Sequence, residues 1–269
     1  MKTILMCEPV HYDVEYEINP WMNGNTHHVD TALAKQQWYQ LKCIIEQLAN
    51  VKLIEGKSGL PDMVFTANAG LVVDRRVLLS QFRNVERMRE RDEFWLWFEE
   101  GEGYDISPIN NDVYFEGAGD VLKGRDVYWC GYGFRTSWGG AKHVSDVLRL
   151  WYNKKAIPIK LVNENFYHFD TCFCPLNDGS VMLYRPAIDN ESYQQIVDVY
   201  GEENIISVGD YDASMFACNA VNIYDVVIMN YAGDGLKHQL RERGFEVVET
   251  PMSEFMKSGG SCKCLTLEI

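Results

Sequence analysis

Short apolar runs alternate with single amphipathic helical patterns along the whole chain, and this alternation constrains the fold more than any other feature. Asp30 caps a predicted helix running through about Ala49, with Leu41, Ile44, Ile45 and Leu48 on one face. A second helix is predicted over Val85 to Glu99. A third starts at Ser137 or Gly140 and repeats Val144, Val147, Leu148 and Trp151 at helical spacing. Asp189 caps a fourth through about Tyr200, with Glu191 in its first turn, and the fifth runs from about Gly233 to Glu242 and stops at Gly244. Between them Ile4–Cys7, Val51–Ile54, Val77–Gln81, Val127–Gly131, Ile157–Leu161, Val181–Tyr184, Ile205–Val208, Val226–Met229 and Phe245–Glu249 read as strands. Five strand–helix units of roughly 50 residues predict a repeated α/β architecture, although the units share no sequence self-similarity. No proline- or serine-rich linker interrupts them, so residues 1–269 read as one domain.

Charge and cysteine usage narrow the function classes. A net charge of −14 argues against nucleic acid or an anionic membrane as partner. No apolar stretch approaches a membrane span, and Met1–Cys7 is too short a run for a secretory signal before Glu8-Pro9. The expectation is a cytoplasmic protein acting on a small molecule. Eight cysteines in such a chain read as reduced thiols. Cys172-Phe173-Cys174 and Cys262-Lys263-Cys264 are spaced by one residue and match zinc knuckles poorly, so no metal is expected.

Four polar clusters sit in otherwise apolar, strand-like surroundings: Pro61-Asp62-Met63-Val64-Phe65-Thr66-Ala67-Asn68-Ala69-Gly70, Phe115-Glu116-Gly117-Ala118-Gly119-Asp120, Tyr167-His168-Phe169-Asp170-Thr171-Cys172, and the tail Ser258-Gly259-Gly260-Ser261-Cys262-Lys263-Cys264-Leu265-Thr266-Leu267. A cysteine and a histidine far apart in sequence can meet in a fold, where the imidazole manages protons for a thiolate. A carboxylate then orients the imidazole, with Glu116 the natural candidate, and further carboxylates or amides can grip a planar cation with many donors. Taken singly, each cluster reads as packing or as a turn: His168 as a core histidine between aromatics, Asp170 as a cap, Glu116 and Asp120 as solvated acids beside glycine. Their joint occurrence is what points to a site.

Together and in this order the clusters resemble the guanidino-group-modifying enzymes: arginine deiminase, dimethylarginine dimethylaminohydrolase, glycine amidinotransferase and the arginine dihydrolases. The resemblance covers nearly the whole chain. It implies the five-bladed α/β propeller, the pentein fold, built of ββαβ units around a central active site, which agrees with the five helix-containing units. It implies Cys264 as nucleophile, with Cys262 as a neighbour, His168 as general acid and base, Glu116 as its partner and Asp170 as a clamp on the guanidinium. Arg135, in Gly131-Tyr132-Gly133-Phe134-Arg135, resembles the arginine that binds the substrate α-carboxylate. Arg87 stands where a second such arginine is expected, and from sequence alone it is equally one of several basic residues on an exposed helix. Asn19, in Ile18-Asn19-Pro20-Trp21-Met22, is expected in a loop over the site. Phe65 is expected against the guanidino plane, and Ser258 completes the substrate-binding set. No cofactor is implied, and family members often self-associate.

One departure sets the subclass. Deiminases carry aspartate where this chain has Asn68. Two carboxylates hold a guanidinium but repel the oxygen of the neutral ureido product, whereas an amide can offer that oxygen an N–H. With Asn68, the Leu60–Gly70 run resembles the arginine dihydrolases, which release ornithine by two rounds of hydrolysis. The expected activity is therefore an arginine dihydrolase, with deiminase, dimethylarginine hydrolase and a silent arginine-binding module as alternatives.

Overall fold

One arrangement recurs five times: a three-stranded sheet whose central strand is antiparallel to one neighbour and parallel to the other. A computed structural model describes residues 1–107, 109 and 112–269, and the five sheets are those among the described residues. In chain order the first module holds β1 (Thr3–Cys7), α1 (Thr31–Glu46) and β2 (Asn50–Ile54). The second holds β3 (Gly70–Val73), β4 (Arg76–Leu79), α2 (Glu90–Leu96) and β5 (Asp105–Ser107). The third is β6 (Val121–Gly124), β7 (Val127–Tyr132), α3 (Trp138–Tyr152) and β8 (Lys155–Lys160). The fourth is β9 (Phe173–Pro175), β10 (Val181–Leu183), α4 (Asn190–Tyr200) and β11 (Ile205–Ser207). After the short α5 (Asp210–Ser214) comes the fifth, with β12 (Val221–Ile223), β13 (Val226–Met229), α6 (Asp234–Glu242) and β14 (Glu246–Glu249). The chain ends in α7 (Ser253–Met256) and β15 (Leu267–Glu268).

Local chemistry explains the pattern. The parallel strand of every module is reached through a helix, because a parallel pair needs a crossover that a tight turn cannot supply. The antiparallel neighbour of β4, β7 and β13 is reached through two residues, the first of which lies in the left-handed region: Asp74, Arg125 and Tyr224, at φ 54°, 54° and 55°. In the first module that neighbour comes from the far end of the chain. Leu5 faces Leu267 and Ile4 faces Glu268 across an antiparallel pairing, and the Ile269 N–H extends it to the Thr3 carbonyl at 2.9 Å.

The helix starts follow the side chains that cap them. Asp30 accepts from the Ala32 and Leu33 N–H groups, Ser137 from Gly140 and Asp189 from Ser192. The second expected helix differs. Instead of one run over Val85 to Glu99 the chain makes a 3-10 turn at Val85–Arg87, then α2, then a π-helical turn at Trp97–Gly101. The wider turn lets Phe98 join Phe94 in the core while the Trp97 indole N–H donates to the Leu53 carbonyl.

The chain packs into two compact units, one of Met1–Ala118 with Met252–Ile269 and one of Gly119–Pro251. The first holds two modules around Leu5, Met63, Val77, Phe94, Phe98 and Leu267. The second holds three modules around Trp129, Phe169, Phe173, Ile196, Tyr200 and Met229. None of the described helices is long and apolar enough to cross a membrane.

β15 contributes only two residues to its sheet, yet Leu267 is fully buried. Leu267→Ala should cost about 2–5 kcal/mol in chemical denaturation. Glu268→Ala, which removes only the surface contact to Lys2 at 2.8 Å, should cost under about 1 kcal/mol.

Candidate active site

The tail that carries Cys264 is tied down at several points within the first unit. The Cys264 carbonyl accepts the Ala67 N–H at 3.1 Å, and the Thr66 hydroxyl donates to the Leu5 carbonyl at 3.0 Å. The buried Gln37 of α1 grips α7 from both ends of its amide, donating to the Ser253 hydroxyl at 2.8 Å and accepting the Glu254 N–H at 3.0 Å. Gly260 is needed for close approach: a Cβ there would lie 2.6 Å from the Phe65 ring and 3.2 Å from the Cys264 Cβ. The glycine therefore lets Phe65 lie beside the cysteine. The ring is boxed further by Tyr12 and Phe255, with centroids 5.9 and 6.5 Å away.

Ser258 and Asn19 join the same group. The Tyr12 and Ser258 hydroxyls are 2.9 Å apart, and the Asn19 side-chain amide donates to the Ser258 carbonyl at 3.0 Å. Asn19 Oδ1 meanwhile accepts from the Trp21 and Met22 N–H groups, so one side chain both caps the turn at Pro20–Met22 and anchors it to the tail.

Asn68 lies at the centre of a buried polar network in this unit. Its Nδ2 donates to the Glu116 carbonyl at 2.9 Å and its Oδ1 accepts from Arg87 Nη1 at 3.0 Å. Gly117 makes the first bond possible: it sits at φ 69°, and a Cβ would fall 2.6 Å from the Ala67 carbonyl oxygen. The Glu116 carboxylate accepts the Arg83 N–H at 3.1 Å. Arg87 is buried, not spread on an exposed helix. Its Nε and Nη2 meet the two Glu90 oxygens at 2.9 Å each, Nη2 also reaches the Asp62 carbonyl at 3.3 Å, and the Phe82 ring lies 4.7 Å below. Four of its five N–H groups are thus engaged, and one on Nη1 remains for another acceptor. Burial raises the Glu90 carboxyl above the usual carboxylate range, against the opposing pull of Arg87.

The second unit brings His168, Arg135 and Asp170 together on two neighbouring turns. His168 Nδ1 lies 3.2 Å from Asp120 Oδ2. Asp120 is fixed in turn by the Thr136 hydroxyl at 2.6 Å and by the Phe169 N–H at 3.1 Å. Sequence reasoning placed Glu116 beside the imidazole and did not single out Asp120. The carboxylate next to His168 in this unit is Asp120, four residues on in the same glycine-rich stretch. Its signal in the sequence was an acid flanked by glycine that had no assigned task. Arg135 is buried with its guanidinium 4.7 Å over the Tyr167 ring, and Asp170 is fully buried, its carbonyl taking the Asn219 amide at 3.2 Å.

All eight cysteines are free thiols. Burial pushes Cys7 and Cys262 up to about 12 and raises Cys130, Cys172 and Cys218 well above the usual thiol range. A thiol held in that range stays protonated at neutral pH.

The Gly117 geometry gives a controlled comparison. Gly117→Ala should lower turnover at least about tenfold and cost more than about 2 kcal/mol, through both left-handed strain and the clash with Ala67. Gly59→Ala, at φ 76° with nothing within 4 Å, carries the strain alone and should cost only about 1–2 kcal/mol with turnover unchanged. Equal effects from the two would remove the positioning role of Gly117.

Comparisons with known proteins cover nearly the whole chain. The family model of N,N dimethylarginine dimethylhydrolase, eukaryotic, matches residues 20–269. The bifunctional arginine dihydrolase/ornithine cyclodeaminase ArgZ of Synechocystis is 46% identical over 99% of the chain, which spans only 37% of the length of that relative. The N(G),N(G)-dimethylarginine dimethylaminohydrolase of Mycobacterium tuberculosis is 37% identical over 98% of the chain and 84% of the relative. Among solved structures, a Cys-to-Ser mutant of the N-terminal domain of ArgZ, from the ornithine-ammonia cycle in cyanobacteria and bound to substrate, superposes with a TM-score of 0.96. It is 45% identical, with 100% of this chain and 98% of that one covered. The five three-stranded sheets are those of the pentein fold, and the resemblance drawn from the four clusters holds. By the extent of the family match and the identity of these relatives, the chain belongs to the dimethylarginine dimethylhydrolase family.

Proposed function

We propose that the protein is an arginine dihydrolase, converting L-arginine and two waters to ornithine, carbon dioxide and two ammonia. The observation that carries this reading is Asn68, an amide where a deiminase has an acid, buried with its oxygen on Arg87 and its nitrogen on Glu116. One Nδ2 hydrogen is spent on the Glu116 carbonyl, and the other is available to the oxygen of a ureido group. The similarity to ArgZ, which bears the name arginine dihydrolase, supports the same reading.

In this mechanism the Cys264 thiolate attacks the guanidino carbon and His168 protonates the departing ammonia. His168 then takes a proton from water, which attacks the amidino-thioether carbon and frees citrulline from sulfur. In the second round the thiolate attacks the ureido carbon, a second ammonia leaves, and water releases a carbamate that breaks down to ornithine and carbon dioxide. Asp120 holds the imidazole, and Glu116 supplies negative charge with Asp170, which clamps the guanidinium. Arg135 binds the α-carboxylate, with the remaining Nη1 N–H of Arg87 as a second donor. Phe65 lies along the guanidino plane, and Asn19 with Ser258 forms the loop contact over the substrate.

A second reading, hydrolysis of dimethylated arginine, is favoured by the family model and the mycobacterial relative. Mass analysis of products from arginine, citrulline and dimethylarginine separates the two. The dihydrolase reading expects ornithine from arginine, and stoichiometric citrulline without ornithine overturns it. Cys264→Ser should lower turnover by about 10³-fold or more. Asn68→Asp should shift the product of arginine toward citrulline, and an unchanged ornithine yield would remove the role given to that amide.

A further inference from the structure

Glu90 is fully buried at the start of α2, and neither the sequence reading nor the mechanism gives it a task. A buried carboxylate is costly, and a buried ion pair is poor evidence of a stabilising role, since apolar side chains often serve as well. Its geometry points elsewhere. Glu90 and Arg87 are three residues apart, and the carboxylate takes both Nε and Nη2 of the guanidinium at 2.9 Å. That bidentate grip leaves only the Nη1 end to face Asn68.

An asparagine amide is nearly symmetric in shape but not in hydrogen bonding. Arg87 Nη1 can only donate, so it demands the Asn68 oxygen. The Glu116 carbonyl can only accept, so it demands the Asn68 nitrogen. Rotating the amide by half a turn would set donor against donor and acceptor against acceptor. The two partners therefore fix which end of Asn68 addresses a neighbouring group, and Glu90 fixes one of the partners.

We propose that Glu90 is a positioning residue for the second hydrolysis: by locking the Arg87 guanidinium it locks the Asn68 amide with its remaining N–H presented to the ureido oxygen. The inference rests on the Asn68 reading above. A guanidinium substrate has no oxygen to be held, so the first hydrolysis does not need this N–H. The second hydrolysis does, and the lock acts on the retention of citrulline rather than on its formation.

The test is product partition. Wild type, Asn68→Asp and Glu90→Gln are assayed on arginine and on citrulline, with folding checked by circular dichroism. Glu90→Gln should consume arginine within about threefold of wild type, raise the citrulline-to-ornithine ratio about tenfold or more, and lower kcat on citrulline by a similar factor. If Glu90→Gln fails to fold, Glu90→Asp keeps the buried charge and leaves Arg87 in place but shortens the side chain by one methylene, which withdraws the two-point grip. It should leak citrulline in the same way, because the Arg87 guanidinium is then no longer locked against Asn68 Oδ1. Folded variants in which both hydrolyses fall in step, with the ratio unchanged, would overturn the proposal and leave Glu90 a purely structural residue. Were Asn68→Asp itself to leave the ratio unchanged, the underlying reading of Asn68 would be the one that fails. A shift with Asn68→Asp but not with the folded Glu90 variants refutes the role of Glu90 alone.

Discussion

β1 is the strand on which the first unit is registered. Its Leu5 pairs with Leu267 of the C-terminal strand, and the Leu5 carbonyl also takes the Thr66 hydroxyl. The residue after Thr66 then donates its N–H to the carbonyl of Cys264. Chain ends fray unless a sheet or core holds them. Here the end is held by strand pairing, by the burial of Leu267 and by the Gln37 clamp on α7, so the cysteine sits on fixed backbone. Phe65 and Asn68, three residues apart, inherit their positions from the same contacts.

Asp120 and Arg87, beside the candidate site, are buried and engaged by several partners each, while charge pairs elsewhere lie mostly on the surface. Asp120 receives a hydroxyl and an N–H and faces an imidazole nitrogen. Arg87 has four of its donors engaged by Glu90, Asp62 and Asn68. Low-dielectric surroundings make such groups costly to misplace, and that cost holds each in a single orientation. Lys57 with Glu55 and Arg149 with Asp146 pair in solvent, where contributions are small and screened.

The long helices were legible because their caps and their apolar faces agree: Asp30, Ser137 and Asp189 stand where the backbone needs an acceptor. The central strands of all five modules were legible as apolar runs. Their hairpin partners were not. Gly70–Val73, Val121–Gly124, Phe173–Pro175 and Val221–Ile223 have four residues or fewer, too few to show a period, and three of the turns lack the glycine that marks a hairpin. At the site, residue types and order exposed the four clusters. Spatial partners such as Asp120 for His168, or Glu90 for Arg87, depend on which way a turn faces, and a single sequence carries no measure of that.

The three tight turns at Asp74, Arg125 and Tyr224 repeat in backbone angle but not in residue type. The modules are thus alike in topology and unlike in side chains, a combination with a kinetic consequence. A chain containing several similar sheets can pair strands from the wrong ones, and near-identical repeats are the most prone to it. Divergent strands, each matched in volume and register to its own neighbours, make such swapped pairings poor competitors. On these grounds, divergence among topologically alike modules disfavours swapped pairings during folding.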